Sequence, residues 1–306
     1  MKVLILNHGY LQCGTYQYAK RIHSIVSKSK DIEYIHKKAR DKQGYLEVLA
    51  EVKPDYVVYN YHIDRMPWLT VNDINSNKSV KHFFLFHDGS ILNSYDKYIF
   101  CGEIPNYNNP IPKAKSVLLT RPIMEYGGTY PVNELPTIGS FGFATDHKGF
   151  PELVSLVQKT FKEAVINLHL TSPYFGVTAG YNLPDIIRKC QASNTNPKIK
   201  LNISSDFVDD EKLLTFLAGN DINVFNYKVL RQPNPGISSA IDYALSVRRP
   251  FAVTKNSLFR HVLSDDISLE KRTIKQVLDA GLKPIEKYYD LWSPDNFSKE
   301  FDRMFL

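Results

Sequence analysis

The sequence is poor in cysteine: 306 residues contain three, Cys13, Cys101 and Cys190, widely spaced and with no CxxC pair. That excludes a disulfide framework and a structural zinc site built on paired cysteines. No His/Cys metal spacing and no DxD triplet occurs, so no protein-built metal site and no resident cofactor is expected. Long hydrophobic runs are missing too. The apolar stretch Val3-Leu4-Ile5-Leu6 is too short for a signal-peptide core or a membrane span. These absences place the expected location in a reducing cytoplasm or on the cytoplasmic face of a membrane. The GxGxxG fingerprint and the Gly-Lys-Ser/Thr phosphate loop are absent, which argues against dehydrogenases and nucleoside triphosphatases. Internal repeats and low-complexity tracts are also lacking.

What is present is an ordinary globular composition, 43% hydrophobic and 23% charged, in a chain long enough for two domains. The net charge of +6 comes from 38 basic and 32 acidic residues interspersed along the chain. Such a balance suits an anionic substrate or a weak contact with an anionic membrane surface. It is too diffuse for nucleic acid, and no basic aromatic platform is seen. The cluster His36-Lys37-Lys38-Ala39-Arg40-Asp41-Lys42 reads as a solvated loop.

Short apolar runs recur at Val3 to Leu6, Ile32 to Ile35, Tyr56 to Tyr61, His82 to Phe86 and Val117 to Leu119, with helix-like stretches at Tyr16 to Ser27 and Tyr45 to Val52. Strands that are apolar throughout and alternate with helices predict a parallel, doubly wound sheet. The segment from Arg121-Pro122 to Leu135-Pro136 is dense in proline and glycine and marks a domain boundary. The alternation then restarts, with strands at Thr137 to Phe143, Val165 to Leu170, Lys200 to Ile203, Asn223 to Phe225 and Phe251 to Thr254. Helices are expected at Phe150 to Phe161, Leu183 to Gln191, Asp210 to Leu217, Leu269 to Ala280 and Asp295 to Phe305.

In such sheets ligands bind beyond the carboxyl ends of the strands. The groups expected there are Gly14 and Thr15, Asn60 and His62, His87 and Asp88, Lys148, and Phe207 with Val208, against which a nucleobase can lie. The most informative stretch is Arg231-Gln232-Pro233-Asn234-Pro235-Gly236-Ile237-Ser238-Ser239-Ala240-Ile241-Asp242. A stiff loop feeds a helix start, where unpaired backbone N–H groups and the macrodipole suit a phosphate. Asp242 lies one turn beyond Ser238, placed to accept from a ribose diol. Taken alone, the stretch favours a plain capped helix, and Lys148 a surface lysine.

Four motifs together resemble the retaining glycosyltransferases of the GT-B fold. Gln12-Cys13-Gly14-Thr15-Tyr16 is similar to that family's first glycine loop, and Phe84-Leu85-Phe86-His87-Asp88 to its strand ending in histidine. Phe141-Gly142 through Lys148-Gly149-Phe150 resembles the opening of its donor domain, and Ser238 to Leu245 with Pro250 its S-x-x-x-E-A-L signature. The resemblance implies two Rossmann-like domains facing across a cleft. Residues 1–128, with a C-terminal helix at 288–306 returning to them, would form the acceptor side. Residues 129–287 would bind a nucleotide diphosphate sugar.

Carried over residue by residue, the resemblance implies that Gly14, Lys148 and the amides of Ile237, Ser238 and Ser239 hold the diphosphate. It also implies that Asp242 binds the ribose and that His87 contacts the transferred sugar. Arg231 is a candidate second phosphate cation, because Gly142 stands where the family often has arginine. Asn234 stands where a further glutamate, close to the sugar, is usual, and Gly236 belongs to the same donor-binding stretch. The implied reaction is metal-independent transfer with retention to a glycan, lipid-linked or other hydroxyl acceptor. Two alternatives stay open on the same fold: a sugar phosphorylase or nucleotide-sugar hydrolase, and a non-catalytic sugar-binding protein.

Overall fold

The computed structural model describes residues 1–62, 64–87, 99–102, 116–172, 182–229 and 236–306. The chain divides into two compact units, Met1–Met124 with Asp290–Leu306, and Glu125–Tyr289.

In the first unit six parallel strands, β1 (Lys2–Asn7), β2 (Glu33–Lys38), β3 (Tyr56–Asn60), β4 (Lys81–Phe86), β5 (Ile99–Gly102) and β6 (Ser116–Leu118), lie in the order β2-β1-β3-β4-β5-β6. The period-2 rule explains why β1 is apolar at every position from Val3 to Leu6. Val3 and Ile5 face one core with helix α1 (Gly14–Val26), while Leu4 and Leu6 face another with Tyr45 and Val52 of α2 (Lys42–Val52). A short helix α3 (Val71–Ser76) precedes β4. Helix α10 (Pro294–Asp302) completes the α1 side, burying Phe297 and Phe301 fully. Asp302 at its end accepts from the hydroxyls of Tyr34 at 2.6 Å and Ser29 at 2.9 Å.

The second unit has five parallel strands, β7 (Thr137–Phe143), β8 (Ala164–Thr171), β9 (Ile199–Ser204), β10 (Ile222–Phe225) and β11 (Phe251–Val253), in the order β11-β10-β7-β8-β9. Its helices are α4 (Phe150–Thr160), α5 (Leu183–Ser193), α6 (Asp210–Ala218), α7 (Ala240–Ser246) and α8 (Ile274–Ala280), and α9 (Lys287–Leu291) crosses the unit boundary after Tyr289.

Two sequence expectations need correction. His36, Lys37 and Lys38 are not loop but the end of β2, paired with Ile5, Leu6 and Asn7. An edge strand with one wet face tolerates lysines, so charge alone misleads there. The expected helix at Leu269 to Ala280 begins only at Ile274, where Thr273 and Gln276 form a capping box. Residues before it are held to β11 instead: Val253 N donates to Ile267 O at 3.0 Å and Leu269 N to Val253 O at 2.9 Å. Strand β5 had no expected counterpart.

Candidate functional sites at the two sheet ends

Each sheet has a point where successive connections leave in opposite directions, and a crevice forms there beyond the strand ends. In the second unit it lies between β7 and β10. β7 runs into a 3-10 turn, Asp146–Lys148, then Gly149, with φ +65°, and α4. A Cβ on Gly149 would sit 2.0 Å from Asn226 O, so glycine alone permits this approach to the chain leaving β10. The backbones are further tied by Lys228 N donating to His147 O at 2.8 Å.

This junction puts Lys148 where the sequence expects it and adds a partner that was not expected. The Lys148 ammonium lies 3.8 Å from the centroid of the Tyr227 ring. The Tyr227 hydroxyl is 3.3 Å from Ser238 Oγ, so Lys148, Tyr227 and Ser238 form one patch. His147 beside them accepts or donates at Thr145 Oγ1, 3.0 Å away, and burial, then the Lys148 charge, lowers its pKa to about 4. A neutral histidine next to a half-buried lysine leaves Lys148 as the cation of the patch.

The segment before α7 departs in detail from the expected phosphate cradle. The amide of Ser238 donates to Leu258 O at 2.9 Å, so it is already engaged. Its hydroxyl faces Tyr227, and Ser239 caps α7 without a side-chain bond. Gly236, Ile237 and Ser239 are half-exposed, whereas Asp242 is wholly buried in the first turn of α7. Phe207 is exposed and Val208 half-exposed in the loop after β9. Arg231, Asn234 and Asp88 lie outside the described residues.

In the first unit the crevice lies between β1 and β3. Asn7 ends β1 and Asn60 ends β3, and Asn60 Nδ2 donates to Asn7 Oδ1 at 2.9 Å and to Thr15 O at 2.7 Å. Asn60 Oδ1 accepts from His87 Nε2 at 2.6 Å, and the His87 ring stands edge-on to Tyr18. Asn7 Nδ2 donates to Tyr16 O at 3.0 Å and faces His36 Nε2 at 3.2 Å. Burial first, and then the neighbouring His23, Lys20 and Lys38, hold His36 down to about 4, which suits its accepting role. His87 is thus oriented through Asn60 and Asn7, while Gly14 and Thr15 open α1 on the same network. Sequence reasoning missed Asn7 and Tyr227. Their signal was position at a strand end beside a crevice, which is readable only once strand order is known.

Among the described residues no helix is long and apolar enough to cross a membrane, and no three His, Cys, Asp or Glu side chains are grouped to hold a metal ion. Cys13 and Cys190 are buried free thiols, and burial raises that of Cys190 to about 12.

No protein-family model matches the chain, and no curated protein matches it in sequence. Solved structures do match over the full length. The lipopolysaccharide outer core galactosyltransferase WaaB is similar with a TM-score of 0.62 at 11% identity, covering 99% of this chain and 100% of the other. The E. coli trehalose-6-phosphate structure bound with UDP-2-fluoro glucose gives 0.62 at 9%, covering 99% and 98%. The α,α-trehalose-phosphate synthase (UDP-forming) from Burkholderia xenovorans, in complex with glucose-6-phosphate, gives 0.62 at 8%, covering 99% of each. With two parallel sheets and structural similarity over 99% of the chain, this protein has the GT-B fold of these glycosyltransferases.

Proposed function

We propose that the protein transfers a sugar from a nucleoside diphosphate sugar to an acceptor hydroxyl, with retention at the anomeric carbon and without a metal ion. The observation that carries this reading is the Lys148–Tyr227–Ser238 patch at the crevice of the second sheet. It supplies a positioned cation where α/β sheets of this kind receive phosphates. Two structures of the same fold are described with a uridine diphosphate sugar or as UDP-forming, which supports the choice of donor class.

As the glycosidic bond breaks, negative charge grows on the diphosphate, and Lys148 stabilises it in a site already oriented for the purpose. Asp242 holds the ribose. Because Asp242 is buried, donor binding then includes a shift of the segment before α7. His87, set by Asn60, contacts the transferred sugar, and the departing phosphate oxygen takes the acceptor's proton on the same face. The first unit serves as the acceptor side, and the protein works in the cytoplasm.

The test is a screen of nucleoside diphosphate sugars with a panel of hydroxyl acceptors, read as nucleoside diphosphate release and as the anomeric configuration of the product by NMR. Retained configuration and undiminished turnover in EDTA are expected. Inversion, or transfer abolished by EDTA, refutes the mechanism. Phosphorolysis or hydrolysis alone would support the enzyme alternatives, and donor binding without turnover a sugar-binding role.

A further inference from the structure

One buried group in the first unit has no part in the donor chemistry. His8 follows β1 at the crevice beside β3, and its side chain is wholly buried. Its Nδ1 accepts from the amide of Tyr10 at 3.1 Å. A neutral imidazole that accepts at one nitrogen carries its proton on the other, so Nε2 is a donor. That Nε2 is buried and meets no acceptor among the described residues. Leaving such a donor unpaired costs about 1–3 kcal/mol, so its persistence asks for a partner outside the chain.

The surroundings define that partner. The rings of Tyr10, Tyr16 and His62 lie 5.8, 5.9 and 6.2 Å from that of His8. The Arg65 guanidinium sits 4.9 Å from the centroid of the Tyr10 ring. Burial first, and then the neighbouring His62, Arg65 and His87, hold His8 near 4, so it is neutral at pH 7. No carboxylate figures among the groups acting on it. An uncharged hydroxyl would satisfy His8 alone, but a neutral donor in the neighbourhood of the Arg65 guanidinium selects an anion.

We propose that His8 Nε2–H and the Arg65 guanidinium bind an oxyanion, a phosphate or carboxylate borne by the acceptor sugar, with Tyr10 positioning the guanidinium. This rests on the reading of the first unit as the acceptor side, but binding of the anion requires no turnover. A guanidinium presents its N–H groups in one plane, the geometry that suits a two-oxygen partner.

The test uses the full-length chain without donor. Inorganic phosphate, glucose 6-phosphate, glucuronate and glucose are titrated by calorimetry, with the His8 ring nitrogens followed by long-range 1H–15N NMR. At least one anionic sugar is expected to bind tenfold or more tighter than glucose and to shift the His8 Nε2 signal. Phosphate against glucuronate identifies which oxyanion is preferred. Arg65→Gln is expected to abolish the preference, and His8→Phe, which keeps the ring shape but removes the donor, to weaken anion binding at least fivefold. Glucose binding as tightly as both anions, a His8 signal unmoved by every anion, or a preference retained in Arg65→Gln would overturn the proposal. Unchanged UDP binding in Arg65→Gln shows an intact second unit. It also separates failure here from failure of the transfer reading.

Discussion

Lys148 and Tyr227 come from the ends of two adjacent parallel strands, β7 and β10, and meet as a cation over a ring at 3.8 Å. Such a contact contributes about 0.5–2 kcal/mol, enough to hold a flexible lysine in one place without neutralising it. A carboxylate partner would have neutralised the charge that a diphosphate needs.

Lys148→Ala is therefore expected to weaken nucleoside diphosphate binding by about tenfold to a hundredfold, the loss of one charge-assisted hydrogen bond. Tyr227→Phe keeps the ring and is expected to change affinity by less than about threefold, because a neutral hydroxyl bond at a long distance contributes little. Calorimetry with UDP on both variants checks the pair. Equal effects would show that Lys148 does not meet the phosphates.

Gly149→Ala is expected to destabilise the second unit by more than about 1 kcal/mol, since alanine is disfavoured at positive φ and its Cβ would strike Asn226 O. Urea unfolding followed by circular dichroism measures it. A midpoint equal to that of the parent would mean that the β7 and β10 ends are not in the contact described.

Phe301→Ala should cost about 3–5 kcal/mol, because the ring is wholly buried among first-unit residues although it lies near the chain's C-terminus. Tyr34→Phe, which removes the donor to Asp302, should cost about 1 kcal/mol. Amide exchange in α1 would report both, with faster exchange expected in each variant.

Stability should fall as pH is lowered from 7 toward 5.5. His8, His36 and His147 are each held near 4 when folded, mainly by burial, against an ordinary value of 6.5. The unfolded chain therefore binds more protons than the folded one once pH drops below 6.5. The destabilisation grows until the folded groups also titrate, near pH 4. Between pH 7 and 5.5 most carboxylates stay ionised, so denaturant midpoints there report the histidines. A flat profile, or one unchanged in His147→Phe, would refute this account.

The sequence by itself determined the two sheets. Apolar runs such as Val3 to Leu6 and Asn223 to Phe225 must be buried on both faces, and alternation with helices leaves parallel sheets as the way to achieve that. It also marked Lys148, His87 and Gly14 by their places after strands. Lysines at the end of β2 hid its last part, His36 to Lys38, since an edge position relaxes the burial rule that makes strands visible. Only the tertiary structure decided which ends are neighbours. Asn7 meets Asn60 across 53 residues, and Lys148 meets Tyr227, because strand order is set by how connections cross the sheet and not by local residue pattern. The same holds for His8, whose unpaired nitrogen exists only because packing removed it from water, and for Ser238, whose amide is engaged by a carbonyl from another loop. Local chemistry names the groups that can act; burial and strand order decide which of them are left with something to bind.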